Sequence, residues 1–221
     1  MSMIDESKAR EEFTVFLRNS DVLTTTERGV TTVASETFDG TGSEETYTLA
    51  NNVVRNIRFV KVGGVTKKAY LDYTPSYGAS SSTITINAVS GTDNVEVSYD
   101  YSTGTNEKIW GDYPDFGKID ASDFPRVGFD FISSVSTPLG IGDTNYFTDK
   151  VASVRVYDNG AGRIENALDT LRSAVKSNQL GFYHFSFAKL GVMTPLLVYD
   201  GLNKKIREKG IDIELRFGFE S

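Results

Sequence analysis

Side chains able to do covalent or metal chemistry are scarce in this sequence. Among its 221 residues there is no cysteine and a single histidine, His184. The first absence removes disulfides, thiolate metal sites, iron–sulfur clusters and a cysteine nucleophile; the second removes any site that needs two imidazoles. A serine triad would have to use His184. It sits in Tyr183-His184-Phe185-Ser186-Phe187, where it alternates with aromatics, so the expectation is a sheet-face or core histidine, and no Gly-x-Ser-x-Gly elbow accompanies it. Gly140-Ile141-Gly142-Asp143 has the glycines of a phosphate cradle, but no helical pattern follows and no Lys-Ser/Thr pair completes it. Asp39-Gly40-Thr41-Gly42-Ser43-Glu44-Glu45 lacks the alternating ligands of a calcium loop and reads as a turn. With 30 Asp and Glu, some carboxylate pair will always fall at the glycosidase spacing of about 5 to 10 Å. The aromatics that would line a sugar groove are spent instead on alternating core positions. The expectation is a protein that is not an enzyme, with no catalytic, cofactor-binding or metal site.

Charge narrows the partners. Against 30 acidic residues stand 23 Lys and Arg, a formal net charge of −7. Phosphate-backbone affinity comes from cations that release counterions, so nucleic acid should pass nearby without sticking. The first residues, MSMIDESKAREEF, are charged at once and show no secretory signal. No apolar run approaches the ~20 residues needed to span a bilayer. The chain is expected to be soluble, unprocessed and away from membranes.

The elements follow from periodicity. Ile4, Ala9, Phe13, Phe16, Leu17 and Leu23 predict an amphipathic helix from Ile4 to about Leu23, with Ser2 or Asp5 as cap. Thr24 to Thr26 break it. Between Ala34 and Ser102, short alternating runs (SETF, ETYTLA, IRFVKV, KAYLDY, STITIN, NVEVSYDY) are separated by Asp39-Gly40-Thr41-Gly42, Gly63-Gly64 and Gly91-Thr92-Asp93-Asn94, the spacing of a small sandwich or barrel. Pro75 to Ser82 is expected to be an exposed loop, and no helix is needed in this stretch. Thr103 to Asp123 reads as a connector. Its rings Trp110, Tyr113 and Phe116 either tack it onto a neighbouring domain or anchor a partner. Strands are then expected at PRVGFDFI and Lys150–Tyr157, a helix at Ala161–Asn178, and strands at GFYHFSFA, around LLVYD and at IREKGIDIELRFGF.

Together these predict an α+β fold: an antiparallel sheet covered by two helices, interrupted by an all-β sandwich insertion. The expected domains are 1–33 with 104–221 as the core and 34–103 as the insertion. The first helix should pack beside the helix at Ile164 to Lys176, because the sandwich closes its own core.

The N-terminal helix, the strands PRVGFDFISSV and KVASVRVYD, the helix RIENALDTLRSAVKSN and the closing IREKGIDIELRFGFE resemble, in element order, the tail terminator (tail completion) proteins of long-tailed double-stranded DNA viruses of bacteria or archaea. The resemblance covers about residues 1–33 and 120–221 and departs from the family pattern at the insertion, which is similar to small β modules of virion proteins. It implies a structural virion protein that caps the tail tube as a hexameric ring and joins tail to head at the neck. Its implied partners are further copies of itself, the tail-tube protein and a head-completion or connector protein, with double-stranded DNA in transient passage through an acidic conduit. The implied location is the tail–neck junction of the virion, after assembly in the host cytoplasm. Candidate subunit contacts are Trp110, Tyr113, Phe116, Phe147, Arg163 and Glu165. The alternatives are a head-to-tail connector of the neck, and a carbohydrate-binding or adhesion module with Tyr70, Tyr73 and Tyr77 as a sugar platform.

Overall fold

A computed structural model describes residues 6–102, 107–111, 124–138, 146–201 and 204–220. In chain order the elements are α1 (Glu6–Asn19), α2 (Thr25–Arg28), β1 (Val30–Gly40), β2 (Glu44–Thr48), β3 (Val54–Val62), β4 (Val65–Lys67), β5 (Tyr73–Ser76), β6 (Thr83–Asn87), β7 (Gly91–Ser102), β8 (Ile109–Trp110), β9 (Arg126–Pro138), β10 (Tyr146–Asp158), α3 (Ala161–Ser177), β11 (Phe185–Met193), β12 (Leu197–Gly201) and β13 (Lys204–Glu220). The fold is mixed α+β with mostly antiparallel sheets. It divides into a split unit, Met1–Leu23 with Lys108–Ser221, and an inserted unit, Thr24–Glu107.

The split unit is built on one long sheet in the order β11-β13-β10-β9-β8, all antiparallel except β8 beside β9. Period-two alternation explains it: Ile211, Ile213, Leu215 and Phe217 of β13 point to one side with Ala152, Val154 and Val156 of β10 and Val127 and Phe129 of β9. They share one core with Ala9, Phe13 and Leu17 of α1 and Ile164, Ala167, Leu168, Leu171 and Val175 of α3, the apolar stripes of the two helices. Phe13 lies at its centre, its ring 4.9 Å from that of Phe129 and within 6.5 Å of those of Phe16, Phe131 and Phe185. The first helix stops at Asn19, short of the expected Leu23. Asp21 takes a positive φ of 53°, which a helix cannot continue, although Val22 and Leu23 still reach the core. Nor is the connector featureless: Ile109 is fully buried and, with Trp110, adds β8 to the sheet edge.

The inserted unit has two antiparallel sheets, β1-β7-β3-β4 and β2-β6-β5, whose inward residues, among them Ile57, Val60, Ile84, Ile86, Val95, Val97 and Tyr99, form a core of their own. Two expectations fail locally. KAYLDY is not a strand: Asp72 N–H donates to the Lys68 carbonyl and Asp72 Oδ2 accepts from Lys68 N–H, closing a turn in which Tyr70 takes φ 64°. The strand instead covers Tyr73–Ser76, part of the expected Pro75–Ser82 loop, because the inward alternation begins at Tyr73 and Pro75. No helix falls between residues 34 and 102, as expected, and α2 lies ahead of that stretch. The single turn α2 carries a complete capping box between Thr24 and Glu27 and ends on Gly29 at φ 65°, the left-handed cap that favours glycine.

That turn also moves the domain boundary from residue 34 to residue 24 and from 103 to 107. Val30–Thr32 pair with Ser102–Asp100, and the Arg28 side chain is fully buried within the inserted unit. Its guanidinium donates through Nε and Nη2 to the two Glu107 carboxylate oxygens at 3.1 Å each, through Nη1 to Asp100 at 3.1 Å and through Nη2 to Asn56 at 2.9 Å. Replacing Thr24–Glu107 by a short linker should therefore leave a split unit that melts cooperatively. Cutting only 34–103 strands Arg28 and Glu107 without Asp100 or Asn56, and that variant should be the less stable by circular dichroism.

Burial alone would raise the Asp100 carboxyl, but hydrogen bonds from Arg58 and Thr32 and the charges of Arg58 and Arg28 outweigh it and hold the group below the usual carboxylate range. A folded-state value below the unfolded ~3.9 stabilises fully above that pH, and the contribution is lost as pH falls through the folded value. Protection of β7 amides against exchange should hold from pH 7 to about 5 and drop below about pH 4. In Asp100→Asn it should be weaker at neutral pH and less acid-sensitive.

Candidate functional site: the open edges of the long sheet

β13, 17 residues long, pairs along one side with β10, from Tyr146 opposite Glu220 to Asp158 opposite Arg207. Its other side takes β11 at Ile211–Phe217 and β12 at Lys204–Glu208, so β11 and β12 run in tandem along a single edge. No strand pairs with the outer side of that tandem strand among the described residues, where Ala188 N–H alone is seen to donate outward, to the Gln179 carbonyl at 3.0 Å. From Leu190 to Tyr199 it reads LGVMTPLLVY, ten residues without a charge. Val192 is 71% exposed, and Leu196, Leu197, Val198 and Tyr199 are exposed with it.

The opposite end of the strand order is similar. β8 pairs only with Val127 and Gly128, which leaves Phe129–Pro138 of β9 open on that side among the described residues. Phe131–Pro138, FISSVSTP, is again uncharged, with Ile132 and Val135 exposed. Isolated folds blunt such edges with charges, and neither Leu190–Tyr199 nor Phe131–Pro138 carries one, although Pro195 and the bulge at Ile132 interrupt the ladder and Lys189 and Asp200 flank the first segment.

Between the edges, the polar side of the sheet is a lattice of paired charges. Arg216 donates two hydrogen bonds to Asp149, at 2.8 and 2.9 Å, and this pulls the Asp149 carboxyl below its ordinary value. Lys189 pairs with Glu214 at 3.2 Å, Ser153 donates to Asp212 at 2.8 Å, and the Tyr199 hydroxyl donates to Glu208 at 2.7 Å, which raises the phenol. A depression of about 360 Å³ here is lined by Val135, Asp149, Phe187, Lys189, Glu214 and Arg216. Its charges are paired, Asp149 with Arg216, Lys189 with Glu214 and the also-lining Lys150 with Glu6 of α1 at 2.6 Å, so it offers little to a charged ligand. Among the described residues no group of three His, Cys, Asp or Glu is placed to hold a metal ion.

His184 is not on a sheet face. It precedes β11, and Glu12 of α1 accepts the backbone N–H groups of Tyr183 and His184 at 2.6 and 2.9 Å while lying 2.9 Å from imidazole Nδ1. Those N–H groups go to a helix carboxylate rather than a neighbouring strand, so strand pairing starts only at Phe185. The histidine therefore ties α1 to the α3–β11 link.

The sequence-predicted contacts are scattered rather than gathered. Trp110 is half-buried in β8 with the Arg126 guanidinium 5.6 Å from its ring. Arg163 donates to the Val22 carbonyl at 2.9 Å, and Glu165 accepts from Lys209 at 2.7 Å, so both brace α3 within its own unit. Phe147 belongs to β10 opposite Thr137, but its side chain lies outside the described residues, as do Tyr113 and Phe116 altogether. In the inserted unit Tyr73 is buried and the Tyr77 hydroxyl accepts from Ile57 N–H at 3.3 Å, so the three tyrosines do not present one open platform. The edges themselves escaped sequence reasoning, although LGVMTPLLVY carried a signal: ten uncharged residues in a strongly charged chain. No helix of the described residues is long and apolar enough to cross a membrane. No protein-family model matches the chain, and no curated protein matches it.

Proposed function

We propose that the chain is a structural virion protein of the tail-terminator kind, a hexameric ring that caps the tail tube and joins tail to head. The observation that supports this most is the pair of edges, each with a long uncharged segment that no strand covers among the described residues, at opposite ends of one sheet. A head-to-tail contact between copies satisfies both edges at once and, if the rotation closes, yields a ring without loose ends. On this reading α1 and α3 cover one face of the long sheet in the layer order of tail terminators, and the inserted unit decorates the ring. One ring face binds the tail-tube protein and the other a head-completion or connector protein. Double-stranded DNA passes without specific binding, because acidic walls and phosphate repel each other. The protein works without catalysis or cofactor, at the tail–neck junction of the virion, after assembly in the host cytoplasm.

Mass photometry of the purified protein, alone and with tail-tube subunits, tests the reading. A species of six 24.3 kDa chains supports it. A chain that stays single in both conditions overturns it, and a ring of another size bound to a portal-side partner favours the connector alternative.

A further inference from the structure

We propose that the inserted unit is closed by a buried ionic latch centred on Arg28, which makes its two ends open and close together, apart from its apolar core. Arg28, Asn56, Asp100 and Glu107 are all buried, and the guanidinium bonds to the last three. Asp100 in turn accepts from Thr32 Oγ1 at 2.6 Å and Arg58 Nε at 2.8 Å. Two cations and two carboxylates thus join five pieces of chain: α2, β1, β3, β7 and Glu107, the last residue of the unit.

The position matters more than the charge count. Among the described residues, the apolar core cluster of this unit takes none from 24–32, and from 100–102 and Glu107 only a partly buried Tyr101. Hydrophobic burial therefore holds chiefly the middle of the unit, and its ends rest, beside a buried Val30, on the ladders of Ser102–Asp100 with Val30–Thr32 and of Tyr101 and Asp100 with Val54 and Asn56, and on the ionic cluster. Such groups do not fail one at a time. A buried guanidinium that loses one carboxylate is left undercompensated in a dry site, and that penalty falls on every segment it joins. Because Arg28 bonds both to β7 and to Glu107, whatever frees one end frees the other. Opening frees residues 24–32, 100–102 and Glu107 while the strands around Ile84, Val95 and Val97 stay closed, a cooperative sub-unit of the kind native-state exchange detects.

Hydrogen exchange read by mass spectrometry on the full chain tests this without reference to any virion role. In the wild type at low urea, peptides covering 24–33 and 98–107 should share one opening event, at a lower urea concentration than peptides over 44–48 and 83–87. Glu107→Gln should speed exchange at both ends together by about 100-fold, and Arg28→Lys, which keeps the charge but loses the two-pronged contact, by about 10-fold. Protection over 44–48 and 83–87 should not change. Ends that open at different urea concentrations, a Glu107→Gln variant in which only one end responds, or loss of protection across 24–107 in step would each overturn the latch. The wild-type measurement decides the matter even if a variant fails to fold.

Discussion

On the proposed assembly, Val198→Lys should turn rings into single chains while leaving the fold intact. Val198 is 48% exposed on β12, so the monomer tolerates a lysine there, whereas an edge buried between copies has to desolvate a charge with no counterpart in the uncharged FISSVSTP segment of β9. A penalty of about 2–4 kcal/mol per contact weakens each one by roughly 30- to 1,000-fold, and a ring meets it at every interface. Mass photometry reads the loss directly. Ser173→Lys, on the exposed side of α3, is the control and should leave assembly unchanged. Equal assembly by wild type and Val198→Lys would remove the tandem edge from the interface.

Phe13→Ala should be the most damaging single truncation in the split unit. The side chain is fully buried, and its ring meets four others in tilted and edge-to-face contacts. Removing it takes away the transfer free energy and leaves a cavity between α1 and the sheet, together about 3–5 kcal/mol. Trp110 is the sole tryptophan and sits in β8 of this unit, so its fluorescence reports the unit's denaturant midpoint. That midpoint should fall by about 1–2 M urea at an ordinary slope. A shift below a quarter of that would mean that the other phenylalanines close the gap.

Most of the split unit was legible because its alternation and helical stripes are long. Ile211 to Phe217, Val151 to Val156 and Ile164 to Val175 each repeat their period several times, and each became the element expected. Short or locally determined features were less visible. KAYLDY has the composition of a strand, yet Asp72 ties itself to Lys68 and bends it into a turn. α2 is a single turn, too brief for any periodicity, and only its Thr24–Glu27 capping pair marks it. Arg28 was invisible for a different reason: an arginine beside Gly29 reads as a solvated charge until Asn56, Asp100 and Glu107, far along the chain, surround it. The site was legible least. An open edge is a property of strand order, and no local pattern states which strands end up outermost.

The order of the strands bears on how the chain comes off the ribosome. β13, the last element of the long sheet in sequence, occupies an interior position between β10 and the β11–β12 edge. α1 is translated early, yet Phe129, Phe185 and Phe217 on its apolar side follow more than a hundred residues later. The intervening Thr24–Glu107 has all of its own pairing partners within reach well before then. Nascent chains should therefore complete this middle piece first and hold α1 exposed until β13 arrives, which makes α1 the natural target of holding chaperones during synthesis.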